Sequence, residues 1–129
     1  MGKTILIIDD DTECTKHVQP RLERAGYVVK AAATGPDGLA LAKAVKPDLI
    51  ILDLLIQGHI EGFDVSRELA AMPELKGKAI LLLTGVRKAF HLPFSIEPDP
   101  KRLPVTQVLE KPLQNGRLLK AVTDLIGAA

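Results

Sequence analysis

Thr4-Ile5-Leu6-Ile7-Ile8-Asp9-Asp10-Asp11 (TILIIDDD, residues 4–11) joins a β-branched, apolar run directly to three aspartates. A strand with one wet face alternates polar and apolar side chains. An unbroken apolar run reads instead as a strand buried on both faces, as in a parallel sheet. The aspartates mark its carboxyl end. Working outward, the pattern recurs: Leu49-Ile50-Ile51-Leu52 runs into Asp53, and Lys78 to Leu83 (KAILLL) runs into Thr84. Tyr27 to Ala32 and Val105 to Leu109 supply two further strands. Between them lie helical segments. Thr12 can cap a helix to about Ala25 that contains Pro20 and stops at Gly26. Pro36 to Ala44 offers Leu39, Leu41 and Ala42 for burial, and Phe63 to Met72 follows Gly62. Leu113 to Ile126 is amphipathic, with Leu118, Leu119, Val122, Leu125 and Ile126 expected on the core side.

Strands alternating with helices predict right-handed crossovers and a five-stranded, doubly wound parallel sheet of the α/β class. One segment breaks the alternation. From Val86 to Pro104 the chain carries Pro93, Pro98, Pro100 and Pro104, which argues against a regular helix there. A length of 129 residues fits one domain with a real core, and 47% hydrophobic content fits a folded globule. The net charge of +1 makes no case for nucleic acid or a membrane surface as the main partner. A lone cysteine, Cys14, suits a reducing compartment. The start of the chain does not read as a signal peptide, and no apolar run approaches the ~20 residues needed to span a bilayer. A cytoplasmic location is expected.

Functional residues of open α/β sheets lie beyond the carboxyl ends of the strands. Those ends carry Asp9, Asp10 and Asp11 on the first strand, Asp53 on the third, Thr84 on the fourth and Glu110-Lys111-Pro112 on the fifth. In a flavodoxin-like strand order, 2-1-3-4-5, Asp9, Asp10, Asp53, Thr84 and Lys111 converge on one pocket. One like-charged pair 4 Å apart costs roughly 4 kcal/mol at an effective dielectric of about 20. A divalent cation would relieve three such carboxylates, and all-oxygen ligands favour Mg²⁺. Alone, each residue has a plainer reading: aspartates at strand ends make turns and caps, and Lys-Pro is a common loop dipeptide. The convergence is what points to chemistry.

With these residues in view, the sequence resembles the receiver domain family, the CheY-like phosphoacceptor modules of bacterial two-component systems. The matching stretches are ILIIDDD, LIILD, LLLTG and LEKP, in order and across essentially the whole chain. The resemblance implies that residues 1–129 form one receiver domain that accepts a phosphoryl group from a histidine kinase or phosphotransfer protein. It implies Asp53 as phosphoacceptor, and Asp9, Asp10, Asp53 and the Leu55 backbone carbonyl as Mg²⁺ ligands. Thr84 and Lys111 would bond the phosphoryl oxygens, and the bond before Pro112 is often cis in this family. Such a domain signals by changing its protein partners, with no direct nucleic-acid contact and no membrane insertion. It catalyses nothing but its own phosphorylation and dephosphorylation.

The chain departs from the family pattern in four places. Gln57 stands where a proline is usual, and Gly62 arrives one residue late. The proline-rich segment is expected to replace the helix that the family places between strands four and five. Val108 stands where an aromatic residue often swings, which suggests signalling through the Val86 to Pro104 segment instead. Leu55 and Val86 flank the expected path of the attacking water, which predicts slow self-dephosphorylation. The spacing of His17, His59 and His91 suggests no metal site, and Cys14 reads as small-residue packing. Phe90, Leu92, Phe94 and Ile96 either form a partner-binding patch or pin the loop to the sheet.

Two other functions remain open at this point. A haloacid-dehalogenase-type phosphatase would use Asp9 as nucleophile, since Asp9-Asp10-Asp11-Thr12 comes close to its D-x-D motif, although the threonine falls one position early. A pseudo-receiver would bind partners without phosphorylation.

Overall fold

The computed structural model describes residues 2–54, 56, 61–84, 97–101, 103–111 and 116–129. The chain forms β1 (Thr4–Ile8), α1 (Thr12–Arg24), β2 (Val28–Ala32), α2 (Gly35–Val45), β3 (Leu49–Asp53) and α3 (Gly62–Ala71). A 3-10 turn at Pro73–Leu75, β4 (Ala79–Thr84), β5 (Gln107–Glu110) and α4 (Arg117–Ile126) follow. The five strands form one sheet in the order β2-β1-β3-β4-β5, and every pairing is parallel. This is the expected doubly wound, CheY-like α/β architecture.

Alternation along the central strands divides the core in two. Leu6, Ile8, Ile50, Leu52, Ile80 and Leu82 face α2 and α3, where they meet Ala42, Phe63, Val65 and Leu69. Ile5, Ile7, Leu49, Ile51, Leu81 and Leu83 face α1 and α4, where they meet Val18, Leu22, Leu118 and Val122. Both faces are covered over the central strands, so residues 5–8, 49–52 and 79–83 are apolar without a break, as the opening stretch requires.

Residues 85–96, most of the proline-rich segment, lie outside the described residues, including Phe90, Leu92, Phe94, Ile96 and His91. Among the described residues between β4 and β5 there is no helix. Asp99 and Leu103 instead exchange two backbone hydrogen bonds of 2.8 and 2.9 Å. Leu103 and Val105 are buried in the α2/α3 face of the core. Two side chains of an irregular segment thus cover part of the sheet.

Several expected boundaries move. Asp11 caps α1 in place of Thr12: its carboxylate accepts from the Glu13 and Cys14 N–H groups, and Thr12 is already helical. The helix continues through Pro20. β2 begins at Val28, because the Tyr27 N–H bonds the Leu22 carbonyl and closes the helix end. β5 begins at Gln107, since the Val105 N–H turns back to the Leu103 carbonyl. Leu119 is 39% exposed rather than on the core side. Adjacent helical residues diverge by about 100°, so only Leu118 of the pair can face the sheet. Leu119 lines a groove between α1 and α4 with His17, Val18, Arg21 and Leu22. The far end of α4 is fastened by the Tyr27 hydroxyl, which donates to the Gly127 carbonyl at 2.6 Å, and by Lys3 to the Ile126 carbonyl.

Candidate functional site

Strand register decides which side chains meet. Ile8 pairs with Leu52, so the next residues, Asp9 and Asp53, stand at the same level. Asp9 lies two positions past Ile7, Asp53 two past Ile51 and Lys111 two past Leu109, and all three preceding residues face the α1/α4 side. The two-residue period of a strand therefore aims Asp9, Asp53 and Lys111 to one side of the sheet's carboxyl edge. Lys111 is tied there by its backbone, whose N–H donates to the Thr84 carbonyl at 2.8 Å.

The contacts follow that placement. The Lys111 ammonium lies 3.0 Å from Asp9 Oδ2 and 3.4 Å from Asp53 Oδ2. The Asp11 N–H donates to Asp9 Oδ1 at 2.8 Å. Asp9 and Asp53 are only 3% and 5% exposed, while Asp10 is half-buried. Carboxylate oxygens of Asp9, Asp10 and Asp53 all lie within 4.8 Å of one another. Thr84 ends β4 one residue past the β3–β4 partner of Asp53 and is 1% exposed. It shares the carboxyl edge of the sheet with Asp9 and Asp53, and by alternation its side chain leaves the strand on the opposite side from theirs. Leu55, Gln57, Gly58, His59, Ile60, Gly85, Val86 and Pro112 lie outside the described residues. The Leu55 carbonyl, the apolar pair beside the water path and the peptide bond before Pro112 lie there with them.

Two of the three carboxylates, Asp9 and Asp53, share one ammonium. Burial pulls the Lys111 pKa down, but Asp53 and Asp9 more than offset it, and the group stands above the ordinary lysine value of 10.5. A raised lysine pKa stabilises the fold fully below the unfolded-state value, and that contribution is lost as pH rises through the folded one. Lys111→Met should accordingly cost about 2 kcal/mol or more at neutral pH without divalent cations, because it strands buried carboxylates. The deficit should persist to the ordinary lysine range and fade only above it. Urea unfolding of both proteins at stepped alkaline pH measures this.

The acidic cluster can hold a cation: its donors are hard carboxylate oxygens, closely set and partly buried. Cys14, near the same site, is pushed up to about 11 by burial, with Lys111 opposing and Asp9 and Asp11 reinforcing. It is a thiol rather than a thiolate at neutral pH. Two contributors escaped the sequence reading. Asp11 both caps α1 and orients Asp9 through its N–H, and the signal available was the strong N-cap preference of aspartate. Gly62 packs against the backbone of Asp53 and Leu54, and nothing in its own neighbourhood announces that.

The chain belongs to the response regulator receiver domain family, a family of signalling domains, whose sequence model matches residues 5–123. Among its relatives, the transcriptional regulatory protein AfsQ1 of Streptomyces coelicolor is 35% identical over 118 residues, covering 92% of this chain and 48% of AfsQ1. Protein PilH of Pseudomonas aeruginosa is 29% identical over 122 residues, 95% of this chain and 96% of PilH. The chemotaxis response regulator CheY4 of Vibrio cholerae superposes with a TM-score of 0.80 at 27% identity, covering 97% and 99% of the two chains. The receiver domain of the sensor histidine kinase PA1611 from Pseudomonas aeruginosa, at 21% identity and TM-score 0.80, shares the fold; its cleft coordinates a magnesium ion. The chain spans about half or less of the length of AfsQ1 and of several other curated relatives. No described helix is long and apolar enough to cross a membrane.

Proposed function

We propose that this receiver domain takes a phosphoryl group onto Asp53 from the phosphohistidine of a sensor kinase or phosphotransfer protein, and thereby changes its affinity for a downstream protein. The observation that carries the reading is the Lys111 ammonium set between the buried carboxylates of Asp9 and Asp53 at the carboxyl edge of the sheet. Asp9, Asp10 and Asp53, with the Leu55 carbonyl, would hold Mg²⁺, and the donor chemistry fits. When bound, Mg²⁺ would neutralise charge on the phosphoryl oxygens.

The chain's own residues do the rest. A carboxylate oxygen of Asp53 attacks phosphorus, the phosphorus–nitrogen bond of the donor breaks, and the imidazole leaves. Near burial keeps bulk water from the nucleophile. Lys111 already lies beside Asp53 and bonds a phosphoryl oxygen as negative charge gathers there. Thr84 supplies a hydroxyl from the adjoining strand end. The product carries about two negative charges where one stood, and the hydrogen bonds it recruits bias the surrounding surface. A half-buried cysteine held as the thiol suits a reducing compartment, and the cytoplasm is the proposed location.

The test is incubation with acetyl phosphate and Mg²⁺, read by intact mass. Wild type should gain one phosphoryl group, and should gain none with a chelator present or with Asp53→Asn. A wild type that stays unmodified would favour a phosphorylation-independent module. Uptake that survives Asp53→Asn but not Asp9→Asn would favour the phosphatase chemistry.

A further inference from the structure

The α1/α4 face carries a trough that the phosphoryl chemistry does not use. Val18, Leu22 and Ala25 of α1 and Leu118 and Leu119 of α4 form its apolar lining, around a volume of about 360 Å³. Leu119, at 39% exposed, is one of only two large apolar side chains left exposed among the described residues. His17, Arg21 and Arg24 line the same trough and follow one another about one helical turn apart on α1. They therefore form a basic row beside the apolar one. Among the described lining residues none is acidic, and none belongs to the Asp9, Asp10 and Asp53 cluster.

We propose that this trough binds a small amphipathic anion, a molecule with an apolar body and one carboxylate or sulfonate group. Its volume lies in the range of roughly 300–1,000 Å³ that small-molecule sites occupy, and such sites pair an apolar lining with a few polar groups. Removing Leu119 and its neighbours from water favours any apolar body. The basic row decides the sign of the charge: guanidinium groups hold a carboxylate through charge-assisted hydrogen bonds, and a cationic amphiphile would meet them with no acid alongside. Length favours a small molecule over a partner helix. α1 lines the trough from His17 to Ala25, about 12 Å of helix, but α4 contributes only its first turn, as far as Leu119. One turn further on, the same side of α4 presents Thr123, whose hydroxyl bonds the Leu119 carbonyl. A helix seated in a groove is read through apolar anchors spread over two turns, and α4 offers one. The site does not depend on phosphorylation of Asp53.

Methyl NMR of the whole chain, titrated with decanoate, tests this. Decyltrimethylammonium, with the same alkyl length and the opposite charge, is the control, and both are kept below micelle-forming concentrations. Decanoate should move the methyl signals of Val18, Leu22, Leu118 and Leu119 to saturation, and the ammonium should leave them in place. Replacing both arginines (Arg21→Gln with Arg24→Gln) should weaken decanoate about tenfold, the scale of one hydrogen bond to a charged group. Leu119→Ser should weaken it several-fold. All three replaced side chains are exposed, and unchanged methyl signals elsewhere would show that each variant is folded. Equal binding of the two amphiphiles, or equal decanoate affinity in wild type and the double variant, would overturn the anion site. Trough signals unmoved by decanoate would overturn the proposal, and if an acidic amphipathic helical peptide moves them instead, the occupant is a partner helix.

Discussion

Gly62→Ala should destabilise the protein by about 3 kcal/mol or more and slow phosphoryl uptake, although it adds one methyl group. That methyl would stand 2.5 Å from Leu54 Cα, 2.9 Å from the Leu54 carbonyl oxygen and 3.0 Å from that of Asp53. All three are backbone atoms, so no side-chain rotation relieves the overlap. The Gly62 N–H also donates to the Leu54 carbonyl at 2.9 Å, which closes the chain after Asp53 back onto the strand it left. Moving α3 away would open that closure and shift the backbone that carries Asp53. Gly77 gives the contrast. A methyl there meets nothing within 4 Å, and its φ of +79° makes Gly77→Ala a local strain of about 1 kcal/mol, far from Asp53. Urea unfolding and the rate of uptake from acetyl phosphate should separate the two variants in both readouts. Equal stability of Gly62→Ala and wild type would show that the close approach is not a constraint.

Asp53→Asn should do opposite things to stability according to whether magnesium is present. Without divalent cations it removes one of three neighbouring carboxylates and leaves Lys111 its shorter contact, to Asp9. Relief of like-charge repulsion should stabilise the metal-free protein by about 1 kcal/mol. With Mg²⁺, wild type should be stabilised by preferential binding to the folded state, and the variant, lacking one ligand, by much less. The order of their melting temperatures should therefore narrow or invert as Mg²⁺ is added. A variant less stable than wild type in both conditions would mean that the Asp53–Lys111 pair outweighs the repulsion. The expected pattern is that of a site whose charge is retained for function at some cost in stability.

Much of this was legible in the chain because it depends on short patterns. Buried strands such as Leu49–Asp53 carry no polar residue until their carboxyl ends, so apolar runs located the sheet and their last residues located its acidic edge. Strand order and register then brought Asp9, Asp53 and Lys111 together as expected. What escaped depends on three-dimensional closeness or on choices between neighbours. Asp11 and Thr12 are both capping residues, and only the helix phase shows which one caps. Leu118 and Leu119 are chemically identical, and the turn of α4 buries one of them. The role of Gly62 comes from backbone eight and nine positions earlier, reached only after the chain has looped back. Leu103 fills core from a segment without periodicity, so no pattern announced it.

Locating the phosphoryl group within the chain tests the central claim most directly. After acetyl phosphate and Mg²⁺ treatment, the protein would be digested and the modified peptide sequenced by mass spectrometry. The acyl phosphate should sit on Asp53 alone, at the end of β3. Modification at Asp9 or Asp10 instead, with Asp53 unmodified, would contradict the account.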